Sequence, residues 1–168
     1  SGKNQFHLAL LIDISSSMKD KIGEVKDAAK QFLNQLLTKN DKGIVVFFNH
    51  EVFEDTEFSS NNSELSNSIS MAFPFGATAL YDAVGYCIKL LKGMSGLNII
   101  IIFSDGEDNS SYLDPYTLIK KAERSNSVIY AIGKQYASYN DEYQEILKNL
   151  STSSGGMLFF VEDNSEIQ

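Results

Sequence analysis

Tryptophan is absent from this chain, proline occurs twice and cysteine once among 168 residues. The single cysteine, Cys87, cannot form a disulfide within the chain, so side-chain packing, with or without a bound metal, must hold the fold together. The 11 Phe and 8 Tyr, within a hydrophobic content of 43%, are sufficient for a sizeable core. A fold of this length buries roughly 68–70% of its unfolded surface. We therefore expect residues 1–168 to form a single domain.

Positive charge and long apolar runs are scarce as well. The chain has 14 Lys and Arg against 22 Asp and Glu, a net charge of −8, so we expect no nucleic acid partner. The longest apolar runs, residues 8–12 and 99–103 among them, are far shorter than the ~20 residues of a membrane-spanning helix, and we expect no membrane insertion by this segment. Because the chain begins with Ser1-Gly2 rather than Met, we expect it to be excised from a longer protein.

Strand patterns alternate with helix patterns along the chain. Continuous apolar runs predict strands buried on both faces, and apolar residues at three- and four-residue steps predict helices. Strands are predicted at residues 6–13, 44–48, 98–104, 128–132 and 157–161, and helices at 22–38, 64–69, 79–91, 114–122 and 141–150. Residues 52–58 follow a short turn and predict an antiparallel edge strand. This order predicts an α/β fold: a doubly wound, mostly parallel central sheet with one antiparallel edge strand and helices on both faces.

Polar side chains follow the predicted strands at the positions where ligands bind in such sheets, beyond the carboxyl ends of the strands. Asp13, Ser15 and Ser17 follow the first strand, Thr78 precedes a helix, and Asp105 follows the strand that ends at residue 104. Two carboxylates and three hydroxyls form an all-oxygen set that suits Mg²⁺ or Mn²⁺, with Ca²⁺ less favoured. The two carboxylates only neutralise a divalent ion, so the ion would stay electrophilic and accept water or an external carboxylate.

Each of these segments also has a structural interpretation. Ser17 and Asp20 resemble a capping box, Thr78 could cap a helix that begins at residue 79, and Asp105-Gly106 could form a tight turn. Four further residues could flank a bound ligand, and of these the two acidic ones could either occupy the open position of the ion or repel an acidic partner. These are Phe75, Gly76, Glu107 and Asp108.

Other reactive side chains have simpler explanations. His7 and His50 are expected away from these loops, as surface or hydrogen-bonded histidines, and Lys19 as a solvated side chain. Cys87 lies on the apolar stripe of a predicted helix, which favours a small buried hydrophobe over a nucleophile. Aromatic residues near the predicted loops could contribute to recognition, although packing is the more common role; they are Phe73, Phe75, Tyr136 and Tyr139.

The Asp-x-Ser-x-Ser pattern of Asp13, Ser15 and Ser17, the downstream Thr78, and Asp105-Gly106 resemble the von Willebrand factor type A domain, over nearly the whole chain. The resemblance implies a Rossmann-like fold with a metal-ion-dependent adhesion site. It implies that the three hydroxyls contact the ion, that the two aspartates bind it directly or through water, and that a ligand carboxylate completes the shell. Residues 76–83 and 104–109 look most like bacterial members of the family.

The favoured hypothesis is a non-catalytic interaction domain, with no enzyme activity, that binds a divalent cation and through it an exposed Asp or Glu of a protein partner, as in cell adhesion. One alternative is a Mg²⁺-dependent phosphohydrolase, but Ser15 stands where such an enzyme needs a second carboxylate, and the loops contain no histidine base. Another is a coupling subunit of a larger intracellular complex. No glycine-rich nucleotide-binding motif follows a strand. An extracytoplasmic or surface-associated setting is slightly favoured over a cytoplasmic one.

Overall fold

The computed structural model describes residues 5–105, 107–134 and 141–161. Strands and helices alternate along this part of the chain, as the hydrophobic pattern predicts. Their bounds are β1 Phe6–Asp13, α1 Ile22–Leu36, β2 Lys42–Phe48, β3 Val52–Glu54, α2 Asn62–Ser70, α3 Leu80–Leu91, β4 Leu97–Phe103, α4 Pro115–Arg124, β5 Ser127–Lys134, α5 Asp141–Ser153 and β6 Leu158–Val161. None of the described helices combines the length and the apolar character that crossing a membrane requires.

The strands form one sheet in the order β3-β2-β1-β4-β5-β6. The neighbouring pairs are parallel except β2 and β3, which are antiparallel. The predicted fold class is therefore confirmed. The chain winds from β1 outward through β2 to β3, and then returns to place β4 on the other side of β1. The strand order thus reverses between β1 and β4, and sheets of this kind bind ligands at the carboxyl ends beside such a reversal.

Both faces of the sheet are covered because β1 alternates its side chains between two apolar layers. Leu8, Leu10 and Ile12 pack with residues of α1 and α2 on one face. Ala9 and Leu11 pack with residues of α3, α4 and α5 on the other. Cys87 of α3 is fully buried in this second layer, and burial raises the pKa of its thiol to about 12. The prediction that Cys87 is a buried hydrophobe is confirmed.

Two predicted elements end two or more residues earlier than expected, where side chains take over backbone hydrogen bonds. The edge strand was expected to reach residue 58, but β3 ends at Glu54, and the hydroxyl of Thr56 accepts the Val45 N–H at 3.1 Å in place of a backbone carbonyl. The first helix was expected to reach residue 38, but α1 ends at Leu36. Beyond it, Asp41 accepts the backbone N–H and the hydroxyl of Thr38, at 3.0 and 2.7 Å.

The entry into β6 requires a residue without a side chain. A Cβ at Gly156 would overlap the carbonyl oxygen of Ile129 in β5. We expect Gly156→Ala to lower the free energy of unfolding by about 1–3 kcal/mol, since the backbone of β5 or β6 must shift. Gly23→Ala is the control: it lies in α1 with nothing within 4 Å of the added carbon, and should be neutral or stabilising by up to about 1 kcal/mol. Urea unfolding that shows equal stabilities for the two variants would contradict this account.

Candidate metal centre

Asp13 is the last residue of β1, and its carboxylate is completely buried. One oxygen, Oδ1, accepts the backbone N–H of Ser15 at 2.8 Å. The other, Oδ2, accepts the hydroxyl of Ser104 at 2.7 Å. Ser104 directly follows β4, so this hydrogen bond joins the carboxyl ends of the two strands between which the sheet order reverses.

Burial determines the protonation of Asp13. Desolvation raises the pKa of this carboxyl from 3.8 to about 6, against the hydrogen bonds from Ser15 and Ser104, which lower it. The negative charge of Asp105 raises the pKa further, so the two predicted carboxylates lie close enough to repel each other. A cation between them would relieve both the desolvation and the repulsion.

The serines after β1 form a 3-10 turn, Ser16–Met18. The hydroxyl oxygens of Ser15 and Ser17 lie 3.1 Å apart, and Ser15 is buried whereas Ser17 is exposed. The capping-box interpretation of Ser17 is wrong: α1 begins only at Ile22, after Lys21 at the N-cap, and has no side-chain cap. The turn therefore places two hydroxyl oxygens side by side without using either to begin the helix.

The loop that carries Thr78 is attached to this turn by backbone hydrogen bonds. Phe75 N–H donates to the Ile14 carbonyl at 2.8 Å, and Ser16 N–H donates to the Gly76 carbonyl at 2.9 Å. Gly76 has a φ of 84°, a conformation that favours glycine. A Cβ there would also stand 2.6 Å from Nδ1 of His50. A side chain at this position would thus be both strained and crowded.

The structure corrects the expected position of one histidine. His50 was expected away from the site loops, but its ring lies against Gly76 because the β2–β3 turn approaches the Thr78 loop. Asn49 in the same turn ties the two together: its Nδ2 donates to the Phe75 carbonyl at 2.9 Å, and its carbonyl accepts the Ala79 N–H at 2.8 Å. The expectation of a hydrogen-bonded histidine is confirmed for His7, whose Nδ1 lies 3.0 Å from the Ser95 carbonyl.

Thr78 is buried, and its backbone is held by the loop after β4. Its N–H donates to Oδ1 of Asn109 at 3.0 Å, and its carbonyl accepts the N–H groups of Asn109 and Ser110 at 2.9 and 3.0 Å. The interpretation of Thr78 as a helix cap is wrong, because Ala79 is the N-cap of α3 and no side chain caps it. The Thr78 hydroxyl is therefore not used in starting α3.

Asp108, expected to flank a ligand, is used in holding the same loop against α3. Its Oδ2 accepts the Tyr81 N–H at 2.9 Å and the Ser111 hydroxyl at 2.5 Å. Asp82 of α3 makes the converse contacts, accepting the N–H groups of Tyr112 and Leu113, both at 2.9 Å. We call residues 104–113 the clamp loop, because these bonds fasten it to the N-terminus of α3.

Asp105, the second residue of the clamp loop, faces a lysine. Its Oδ2 lies 3.6 Å from Nζ of Lys21, in a pair whose side chains are 8% and 17% exposed, respectively. Its Oδ1 accepts the Glu107 N–H at 3.1 Å, and Glu107 itself is exposed. Gly106, together with the tyrosines Tyr136 and Tyr139, lies outside the described residues.

The donor set at this edge fits a hard divalent cation. The described part of the chain contains no group of three or more His, Cys, Asp or Glu side chains suited to a metal. The hydroxyls of Ser15, Ser17 and Thr78 are the further oxygen donors that the sequence predicts beside Asp13 and Asp105. Oxygen donors alone suit Mg²⁺ or Mn²⁺ better than they suit zinc.

Sheet order, helix placement and the polar strand ends together define a doubly wound α/β domain with an oxygen-rich binding edge. The sequence profile of the von Willebrand factor type A domain family matches residues 7–168. The chain therefore belongs to the von Willebrand factor type A domain family. None of the curated protein sequences compared with the chain matches it.

Solved structures show the same fold at low sequence identity. The von Willebrand factor domain of the type V pilus tip protein Mfa5 from Porphyromonas gingivalis has a TM-score of 0.82 at 13% identity, over 95% of this chain and 90% of that one. BatB from Bacteroides thetaiotaomicron has a TM-score of 0.75 at 16% identity, over 96% and 93%.

A von Willebrand factor type A protein from Catenulispora acidiphila has a TM-score of 0.79 at 17% identity. The match covers 96% of this chain and 40% of that protein. The chain thus spans well under half the length of this relative.

The raised pKa of Asp13 predicts a pH dependence for the metal-free protein. Because the folded value is about 6 and the unfolded value 3.8, folding takes up a proton between these two pH values. The contribution of Asp13 to the free energy of unfolding should therefore fall as the pH rises from about 4 to about 6 and stay lower above that, by about 3 kcal/mol. Asp13→Asn should lack this fall.

Urea unfolding in the presence of a chelator, at several pH values across this window, measures the effect as the difference between wild type and variant. Asp27→Asn, at an exposed position of α1, is the matched control and should keep the wild-type pH dependence. A pH dependence of Asp13→Asn identical to that of the wild type would show that burial does not perturb this carboxyl.

Proposed function

We propose that this chain is a non-catalytic protein-interaction domain that binds Mg²⁺ or Mn²⁺ through Asp13, Ser15, Ser17, Thr78 and Asp105. An Asp or Glu of the partner protein completes the coordination of the ion. The observation that carries the proposal is the buried carboxylate of Asp13, which is bonded to Ser104, the residue before Asp105, and lies beside a turn whose two hydroxyl oxygens are 3.1 Å apart.

The charges at the site favour an anionic ligand once an ion is bound. Asp13 and Asp105 together neutralise a divalent cation, and Lys21 adds one positive charge next to Asp105. The ion, the two aspartates and Lys21 would then sum to one positive charge, which attracts a carboxylate to the ion. Ser17 is exposed, so this side of the site is open to solvent.

The surroundings of the site suit a protein partner. Phe73 and Phe75 are 72% and 48% exposed, in the loop whose backbone is bonded to Ile14 and Ser16. Exposed aromatic side chains beside a charged centre are typical of protein interfaces. Glu107, also exposed next to Asp105, is the residue of the chain that would compete with a partner carboxylate. Mfa5 is a pilus tip protein that contains a domain of this fold, and this relationship supports a surface-associated interaction role.

The phosphohydrolase alternative has less support. In that mechanism Asp13 would have to be the nucleophile. Such an enzyme also needs a second carboxylate two residues after the nucleophile. Ser15 stands at that position, and a serine hydroxyl has no acid–base role at neutral pH. His50 lies near the Thr78 loop, but its contact is with Gly76. The other alternative, a coupling subunit of a larger intracellular complex, is supported by no contact among the described residues.

Calorimetric titration of chelator-treated protein with Mg²⁺ and Mn²⁺ tests the proposal. We expect saturable binding in the wild type and a loss of at least tenfold in affinity in Asp13→Asn and Asp105→Asn, because each variant removes one of two anionic ligands. Asp27→Asn is the matched control and should bind like the wild type. A labelled peptide with one central Asp should bind in the presence of the ion and not in the presence of chelator.

Two results would contradict the proposal. One is ion binding that stays unchanged in both variants, with circular dichroism showing all proteins folded. The other is ion-dependent turnover of a phosphate ester that is lost in Asp13→Asn, which would favour the phosphohydrolase.

A further inference from the structure

A second surface of the molecule carries concentrated positive charge. A groove of about 1170 Å³ runs between α3 and α4. Four cationic side chains line it, two from each helix region: Lys89, Lys92, Lys121 and Arg124. They are four of the 14 Lys and Arg residues in a chain whose net charge is −8. We call this surface the basic groove.

The cations of the basic groove outnumber the acidic side chains around them. All four are exposed, and none of them forms an ion pair within the described ranges. Asp82 is the acidic residue among the described lining residues. Its two oxygens accept the N–H groups of Tyr112 and Leu113, both at 2.9 Å, and it keeps its negative charge. Four cations against this carboxylate, and against that of Glu54 at the Tyr86 hydroxyl, leave the groove positive within an acidic protein.

Helix stability explains only part of this arrangement. Cations near the C-terminus of a helix offset the partial negative charge of its last carbonyl groups, for about 0.3–1 kcal/mol at exposed positions. This accounts for cations at the ends of α3 and α4. It does not account for the fact that both pairs, Lys89 with Lys92 and Lys121 with Arg124, line the same groove.

Apolar and aromatic side chains complete the lining. Ile88 and Leu113 contribute aliphatic surface, and Leu113 is fitted closely against α3, since a Cβ at Gly85 would stand 3.1 Å from its Cδ2. Tyr86 is 39% exposed and Tyr112 is fully exposed, at 101%. Tyr112 is placed by the clamp loop, because its backbone N–H donates to Asp82. An exposed aromatic ring on a fixed backbone is a typical recognition element.

We propose that the basic groove binds an acidic peptide segment of a protein partner, in which carboxylates alternate with apolar side chains. The carboxylates would pair with the two cation pairs, and the apolar side chains would contact Tyr112, Ile88 and Leu113. Charge complementarity identifies the occupant as anionic, and the apolar lining favours a peptide over an anion without apolar groups. The volume exceeds the 300–1,000 Å³ of ordinary small-molecule pockets, which also favours an extended segment. This site does not depend on the proposed metal site.

Fluorescence anisotropy with a short labelled peptide of alternating Glu and Leu tests the proposal in the presence of chelator, so that the metal site cannot contribute. We expect saturable binding that weakens with salt. The same peptide with Gln in place of Glu should not bind. A peptide of alternating Glu and Ser should bind at least tenfold more weakly than the Glu–Leu peptide. Tyr112→Ser should likewise weaken binding of the Glu–Leu peptide.

A charge-matched pair of variants separates local binding from the overall charge. The groove variant changes Lys89, Lys92, Lys121 and Arg124 to Gln, and should lose at least tenfold in affinity for the Glu–Leu peptide. The control variant changes four exposed lysines outside the groove lining to Gln and should bind like the wild type; they are Lys39, Lys42, Lys120 and Lys148. Both variants change the net charge equally.

The proposal is overturned if the groove and control variants lose affinity equally, or if the wild type does not bind the peptide at low salt. Binding of heparin or of vesicles rich in phosphatidylserine, without binding of the peptide, would assign the groove to a polysaccharide or a lipid surface instead. Since chelator is present throughout, none of these results bears on the proposed metal site.

Discussion

The structure depends on one buried carboxylate at the point where the strand order of the sheet reverses. Asp13 is completely buried, and an ion of this kind is stable in an apolar interior only when hydrogen bonds or an opposite charge compensate it. Ser15 and Ser104 supply hydrogen bonds, yet burial still raises the pKa of Asp13 to about 6. The hydrogen bonds thus compensate only part of the free-energy cost of burying this charge, which explains why this edge of the sheet suits a cation.

The surrounding loops hold the other donors near Asp13 through backbone contacts. The Thr78 loop is paired with Ile14 and Ser16, and the clamp loop is fastened to Thr78 through Asn109. Asp108 and Asp82 then fix the clamp loop to the N-terminus of α3. One loop thus places Asp105 at the candidate metal centre and Tyr112 at the basic groove. Both surfaces therefore share the clamp loop.

The sequence was sufficient to predict the fold and the strand ends that carry the candidate ligands. Continuous apolar runs such as residues 8–12 are specific for strands covered on both faces, and the residue after such a strand must lie at the ligand-binding edge. Asp13 follows directly from this rule, and Asp105 lies one residue further along, after Ser104. Thr78 does not follow a strand, so its position was expected from its place in the motif rather than from its own surroundings.

Residues whose role depends on the approach of distant segments were not predicted. Lys21 pairs with Asp105 across 84 positions of the chain, and no local pattern distinguishes it from the neighbouring Lys19. Asn49, at the carboxyl end of β2, could have been found by the strand-end rule, but its two contacts with the Thr78 loop depend on tertiary packing. The helix-cap interpretations of Ser17 and Thr78 were also wrong, because α1 and α3 begin without side-chain caps.

The most direct test of the metal site is a crystal structure of the protein grown with Mn²⁺, with anomalous difference maps used to locate the ion. The account predicts one strong peak bounded by the Asp13 and Asp105 carboxylates and the hydroxyls of Ser15, Ser17 and Thr78. A well-ordered site without a peak at saturating Mn²⁺, with Lys21 still paired to Asp105, would contradict it.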